Sequence, residues 1–197
     1  MYDTYIHAYE KLSLPAAGIF MGLVLIVLHL VALLHQEACM GWLRKAHNAT
    51  KAGQILLGID FIWVALLLFD AGWNPLRMDL FEFNNMRGIL LMLCPIIWFV
   101  MSSMCKENLF PRALGMFLLL MAIVPLSAAF LKEPITRLLI PIWWYPVLTV
   151  AMFWVAKPYL FRDWAAWLCE RPKLFRMGAW AGLAYACLLL LCAIIFW

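Results

Sequence analysis

Charged residues are scarce in this sequence. Only 13% of its 197 residues are charged, 67% are hydrophobic, and the mean hydropathy is +0.91. A soluble domain is roughly one-quarter charged and roughly half apolar, because its surface has to face water. The scarcity of charge therefore argues against a single soluble core, and the composition is typical of a chain whose solvent is lipid.

Sequence signatures of common enzymes and metal sites are also missing. The chain has no GxSxG, HExxH or CxxC motif and no glycine-rich phosphate loop. Ser102, Ser103 and Ser127 have no histidine near them in sequence. The net charge is +4, but the sequence has no run of basic residues that could bind along the phosphate backbone of a nucleic acid. These absences favour a protein that is not an enzyme and has no nucleic-acid partner.

Six apolar runs dominate what is present, and each is long enough to cross a bilayer as a helix. In lipid, backbone polar groups must be satisfied within the segment, so the runs predict helices of roughly 25–32 Å. The first run follows a leader with Asp3 and Glu10 against one Lys11, which predicts an uncleaved helix rather than a signal peptide. Residues 1–197 are predicted to be one all-α polytopic membrane domain with six transmembrane helices at Pro15–His35, Gly53–Phe69, Gly88–Met104, Ala113–Leu131, Leu138–Ala156 and Met177–Trp197.

The basic residues of the links between the spans predict an orientation. One side of the membrane receives five lysines and arginines and the other receives ten. The positive-inside rule places the richer side in the cytoplasm and both termini on the non-cytoplasmic side, and we expect a bacterial inner membrane. None of the six cysteines then reaches an oxidising face, which predicts free thiols.

Three polar segments could lie in the membrane surface. Lys157–Arg176 places Trp164, Trp167 and Leu168 at helical spacing beside charged residues, as in an interfacial amphipathic helix. In the outer link Asp70–Arg87, Asn74-Pro75 predicts a helix start. The N-terminal residues Tyr2, Tyr5 and Tyr9 indicate a third such element. One or two interfacial helices are therefore expected, with aromatic anchoring as their role.

Small residues recur on two spans and predict close helix packing. Such rows let helix backbones approach each other in lipid. They could form the face that binds a partner subunit or a second copy, or they could pack within the bundle, which we favour. The residues are Gly18 and Gly22 in the first span and Gly178, Gly182 and Ala186 in the sixth.

Prolines and tryptophans concentrate in the middle of the chain. Pro95, Pro125, Pro141 and Pro146 lie inside predicted spans, where kinks could shape a cavity. The segment 141–146 (PIWWYP) is the densest aromatic patch. We interpret it as an aromatic belt in the outer leaflet, with one wall of a lipid- or quinone-sized pocket as the alternative.

Two ionisable residues lie at membrane depth, His29 in the first span and Asp60 in the second. Each costs about 2.5–3.5 kcal/mol to insert if charged, so each is a candidate for function. Both lie roughly 9–11 Å from the predicted cytoplasmic side, so antiparallel neighbours would bring them to one level. The pair could be a proton relay, an ion site or a polar clasp between the helices, and we favour the clasp.

Cofactor sites are not expected. His29 and His35 point to different faces of one helix, which argues against a haem with two histidine ligands. Met101, Met104 and Cys105 could form a soft-metal site by spacing, but chance explains them among twelve methionines. The sequence thus favours a non-catalytic subunit or scaffold of a membrane complex, with a small transporter or channel using His29 and Asp60 as the alternative.

Overall fold

The computed structural model describes residues 9, 11–71, 74, 76–104 and 107–197. Within these residues the chain forms α-helices joined by short links, with two 3₁₀ turns at Phe81–Met86 and Ile135–Leu138 and no strand. The α-helices are α1 (Leu14–Leu34), α2 (Gln36–Ala46), α3 (Thr50–Leu68), α4 (Arg87–Met104), α5 (Leu109–Ala129), α6 (Leu139–Ala156), α7 (Tyr159–Cys169) and α8 (Pro172–Ile195).

Six of these helices are long and apolar enough to span a membrane, which confirms the six predicted runs. They are α1, α3, α4, α5, α6 and α8. The predicted bounds agree best for α4 and α6. Helices α3, α5 and α8 begin three to five residues before their predicted starts, because a helix continues beyond the apolar run that identifies it in the sequence.

The two short helices, α2 and α7, pack against each other at the end of the bundle where α1 ends and α8 begins. We call this the α2/α7 end. The thiol of Cys169 donates to the carbonyl of Met40 at 3.3 Å, and Ala46 packs with Phe161 and Ala165. Helix α7 lies within the segment predicted to be interfacial. Helix α2 was not predicted.

Helix α1 packs mainly against α8. Gly22 lies against Leu190, with 3.1 Å between the Leu190 Cβ and the point that a Cβ on Gly22 would occupy. A Cβ on Gly18 would overlap the ring of Trp197, and one on Gly182 would overlap the ring of His29. Gly18 and Gly22 therefore pack against α8 and Trp197, and Gly182 packs against α1. Of the small residues in these two rows, only Gly178 has open space beside it, and Ala186 is fully buried.

Helix α5 connects the rest of the bundle, because it contacts both α3 and α6. Gly53 of α3 approaches the backbone of Phe110 in α5, so both helices begin at the α2/α7 end and run parallel. Helix α4 packs mainly on α3 and buries only Arg87, Cys94 and Ser102. Five described cysteines are free thiols, as predicted, and Cys105 lies outside the described residues.

The link between α3 and α4 corrects the prediction of a helix beginning at Asn74. Residues 76–80 are not helical. The Asn74 side chain instead closes the end of α3, donating to the carbonyls of Leu66 at 2.7 Å and Phe69 at 2.8 Å. These carbonyls have no backbone N–H partner within the helix. The Asn74 amide satisfies them, just as a capping side chain satisfies the free N–H groups at a helix start. Pro75 lies outside the described residues.

Candidate functional site

An apolar cavity of about 340 Å³ lies between α1, α5 and α6. All of its lining side chains are apolar or aromatic, and they include Met21, Phe117, Pro125, Trp143 and Trp144. Phe20, Val24 and Leu28 of α1 line it and are also exposed on the outside of the bundle. The cavity is therefore a groove that opens sideways, towards the region lipid would occupy.

The groove runs along the helices. In α1 its lining residues run from Ala17 to Leu28, roughly 17 Å along the helix, and in α5 they run from Phe117 to Pro125, roughly 12 Å. An apolar groove of this length accommodates part of an extended hydrocarbon chain.

The segment 141–146 forms one wall of this groove. Trp143 and Trp144 line it, and Trp144 is only 7% exposed, whereas Tyr145 is 63% exposed on the outside. The two tryptophans therefore agree with the alternative of a pocket wall, whereas the aromatic belt stays a prediction for Tyr145. Of the four prolines, Pro125 lies in the wall, and Pro141 is in the first turn of α6, where no helical hydrogen bond is lost.

The ring of Trp143 is braced from two sides. Tyr185 of α8 stacks on it with ring centroids 5.3 Å apart, and His29 of α1 meets it edge-on at 6.0 Å. The Tyr185 hydroxyl donates to the carbonyl of Leu139 at the start of α6. Because side chains from two neighbouring helices, α1 and α8, hold this ring, the wall is formed before any ligand arrives.

The structure does not join His29 to Asp60. The Nδ1–H of His29 donates to the carbonyl of Leu25 at 2.7 Å, and its ring fills the space beside Gly182. Neither carboxylate oxygen of Asp60 has a hydrogen-bond partner among the described residues. The expected geometry required α1 and α3 as close neighbours, but α1 packs mainly on α8 while α3 packs on α5 and α4.

Asp60 is fully buried on the face of α3 that includes Gly53 and Leu57. That face meets α5, where Leu57 packs with Leu109 and Ala113. The next turn of α3 brings Trp63 to the ring of Phe117, and the Trp63 Nε1–H donates to the Tyr9 hydroxyl at 2.7 Å. An unpartnered carboxyl group in such surroundings is costly when ionised, so it must either hold a proton or meet a cation.

The remaining candidates from the sequence do not converge. Among the described residues no three His, Cys, Asp or Glu side chains are close enough to hold a metal ion. Met101 packs near Leu57, whereas Met104 is 80% exposed and Cys105 is outside the described residues. Tyr2 and Tyr5 are outside them too, whereas Tyr9 is buried.

No protein-family model, no curated protein and no solved structure matches this chain. The chemistry of the site is therefore the only guide to function. A groove that is apolar, pre-formed and open to the side can hold a hydrocarbon chain, and its lining side chains carry no charged or hydroxyl group to coordinate a hydrated solute.

Proposed function

We propose that this protein is a non-catalytic subunit or scaffold of a membrane complex, and that it holds the hydrocarbon chain of a membrane lipid between α1, α5 and α6. The observation that carries the proposal is the apolar groove with Trp143 and Trp144 in its wall. The groove is apolar and elongated along α1, and its open side lets a hydrocarbon chain enter from the bilayer. Apart from Gly178, the small residues of these rows are covered within the bundle, so a partner subunit or second copy would use other surfaces.

The groove is tested by filling it. Val147 lines it on α6, and Val150, one turn further on, is exposed outside it. Purified protein in detergent is titrated with a photoactivatable diazirine fatty acid, and the labelled peptides are identified by mass spectrometry. We expect saturable labelling of segments 117–125 and 143–147, falling several-fold in Val147→Phe because the phenyl ring takes the space of the chain. Val150→Phe should leave it unchanged.

Labelling that never saturates, or that falls equally in both variants, would show that the groove is ordinary lipid-facing surface. Gentle extraction followed by native mass analysis tests the other half of the proposal. A stoichiometric second protein supports a subunit, and a clean monomer that retains its lipid would leave only the lipid-holding role.

Buried Asp60 favours a second candidate, a small transporter or channel. Its carboxyl group is fully buried and has no hydrogen-bond partner among the described residues, so a transported proton or cation could occupy the site. Reconstituted protein should then show a proton or cation flux that Asp60→Asn abolishes, because an amide neither releases a proton nor attracts a cation. Equal flux in the variant would show that Asp60 takes no part in transporting the proton or cation.

A further inference from the structure

A second pocket, of about 450 Å³, lies at the α2/α7 end, remote from the groove. It is lined by Gln36 at the start of α2 and by the first turns of α8, which supply Lys173, Arg176, Met177 and Trp180. Gln36 connects the two elements, since its Nε2–H donates to the carbonyl of Pro172 at 3.1 Å and its Oε1 accepts from Arg176 Nε at 3.3 Å. The pocket is thus built by side chains of two helices.

The charge in this pocket is uncompensated. Lys173 and Arg176 lie in the first turns of α8, and no acidic residue is present in the first turn. The free N–H groups of a helix start are themselves equivalent to about half a positive charge, so cations there are unfavourably placed. Neither Lys173 nor Arg176 has a carboxylate partner within 4.0 Å among the described residues. The Arg171 guanidinium, 4.5 Å from the centroid of the Trp167 ring, adds a third positive charge at this end.

An anion bound between Lys173 and Arg176 would neutralise both the side chains and the helix start. The surface next to the pocket indicates which anion. Met177 and Trp180, one to two turns further along α8, are exposed to the side of the bundle, and Trp180 lies roughly 12 Å from the helix start. A ligand with a phosphate and an attached apolar chain would contact both the basic side chains and the exposed apolar side chains of this surface. A free phosphate would contact only the basic side chains.

We propose that Gln36, Lys173 and Arg176 form a binding site for the phosphate headgroup of an anionic membrane lipid, whose acyl chain lies along Met177 and Trp180. Basic pockets between transmembrane helices are known to bind such headgroups on the cytoplasmic side. The site is separate from the groove, because the groove lies between α1, α5 and α6, whereas this site is formed by Gln36 and the first turns of α8.

The full chain is purified, delipidated and titrated with phosphatidylglycerol, with phosphatidylcholine and with inorganic phosphate alone, and bound ligand is counted by native mass spectrometry. In the Val147→Phe variant, whose groove is filled, we expect one saturable phosphatidylglycerol per chain, weaker binding of phosphatidylcholine and none of phosphate in the same range. Removing both cations in Lys173→Gln/Arg176→Gln should weaken phosphatidylglycerol binding about 30-fold, because each cation near a lipid surface contributes comparably to affinity.

The matched control is Lys45→Gln/Lys157→Gln, which removes two exposed charges at the same end of the bundle but outside the pocket. It should bind phosphatidylglycerol as the unmodified protein does. Equal weakening in both double variants would show only diffuse attraction to a positive surface and overturn the site. If inorganic phosphate bound as tightly as the lipid, the pocket would be a site for a free anion, and the proposal of a lipid ligand would be wrong. Affinity should also fall with added salt, and a salt-independent affinity would contradict a headgroup held by charge.

Discussion

At the scale of single residues, His29 sets how α1 and α8 meet. Its ring is held on one side by the Leu25 carbonyl and on another by Trp143, and it occupies the space that a side chain at position 182 would need. The absence of a Cβ on Gly182 is therefore what admits the ring. Since α1–α8 is the most extensive helix contact of the bundle, this fit is important for its stability.

Gly182→Ala tests the fit. The added methyl group overlaps the His29 ring, so either the ring or α1 must move, and we expect a loss of about 1–3 kcal/mol in the free energy of unfolding. Unfolding in mixed detergent–SDS micelles measures it. Gly178→Ala, on the same helix with open space beside it, is the control and should be neutral or slightly stabilising.

A double-mutant cycle separates the overlap from a general effect on α8. In a His29→Ala background the methyl group at position 182 has room, so Gly182→Ala should then cost little. An equal cost in both backgrounds would show that the ring is not the obstacle.

The sequence places His29 and Asp60 within predicted spans, and both lie inside the long apolar helices α1 and α3. It does not predict their neighbours. Hydropathy shows how deep a residue lies in a span, and two residues at equal depth meet only if their helices are adjacent. Adjacency depends on the packing of all six spans, and here it places His29 against α8 and leaves Asp60 facing α5.

At the scale of elements, the link between α3 and α4 is organised around Arg87. The buried guanidinium donates to the side-chain oxygen of Asn84 and to the carbonyls of Met78 and Leu68. Asn84 in turn donates to Asp79 at 2.7 Å, and the backbone N–H of Phe81 donates to the same carboxylate at 3.1 Å. Donors to the ionised form lower the pKa of Asp79, first the Asn84 amide and then the Phe81 N–H.

This link should weaken in acid. A carboxyl group with a lowered pKa in the folded protein stabilises it fully above its ordinary pKa of about 4, and this contribution is lost as the pH falls from there through the lowered value. Asp79→Asn should therefore reduce the melting temperature at pH 6 and have less effect at pH 3. Glu82→Gln, an exposed neighbour, is the control. An Asp79→Asn effect of equal size at both pH values would contradict the role of the ionised carboxylate.

The two short helices show what the sequence reveals about an element. Helix α7 is predictable, because Trp164, Trp167 and Leu168 share a face beside charged residues. Helix α2 has a comparable pattern in Cys39, Leu43 and Ala46, at the i, i+4, i+7 spacing, but it directly follows the apolar run of α1. From the sequence alone, α2 cannot be distinguished from a polar C-terminal end of the first span. The backbone of His35, with φ −119° and ψ 43°, makes it a separate helix.

At the scale of the whole molecule, the two ends of the bundle differ in chemistry. The groove extends from the end where α1 begins, and its lining is apolar. The opposite end carries α2, α7 and the basic start of α8. This asymmetry agrees with the uneven distribution of Lys and Arg in the sequence, and we propose that the α2/α7 end faces the cytoplasm.

Thiol labelling in intact cells measures this orientation. Lys132, between α5 and α6, and Lys157, between α6 and α7, are both exposed and lie at opposite ends of the bundle. In a background with Cys39→Ser, Cys105→Ser and Cys187→Ser, a membrane-impermeant maleimide should label Lys132→Cys in intact cells. Lys157→Cys should react only after permeabilisation. The reverse pattern would invert the proposed topology.

The pairing of α1 with α8 also has a consequence for the order of assembly in the cell. At about 5–20 residues per second, roughly 7–28 s of translation separate the end of α1 from the start of its main partner. During that time the ring of His29 and the faces of Gly18 and Gly22 lack the helix that will cover them. Membrane chaperones, or neighbouring helices of another chain, therefore have an interval in which to reach α1 before α8 is synthesised and closes the bundle.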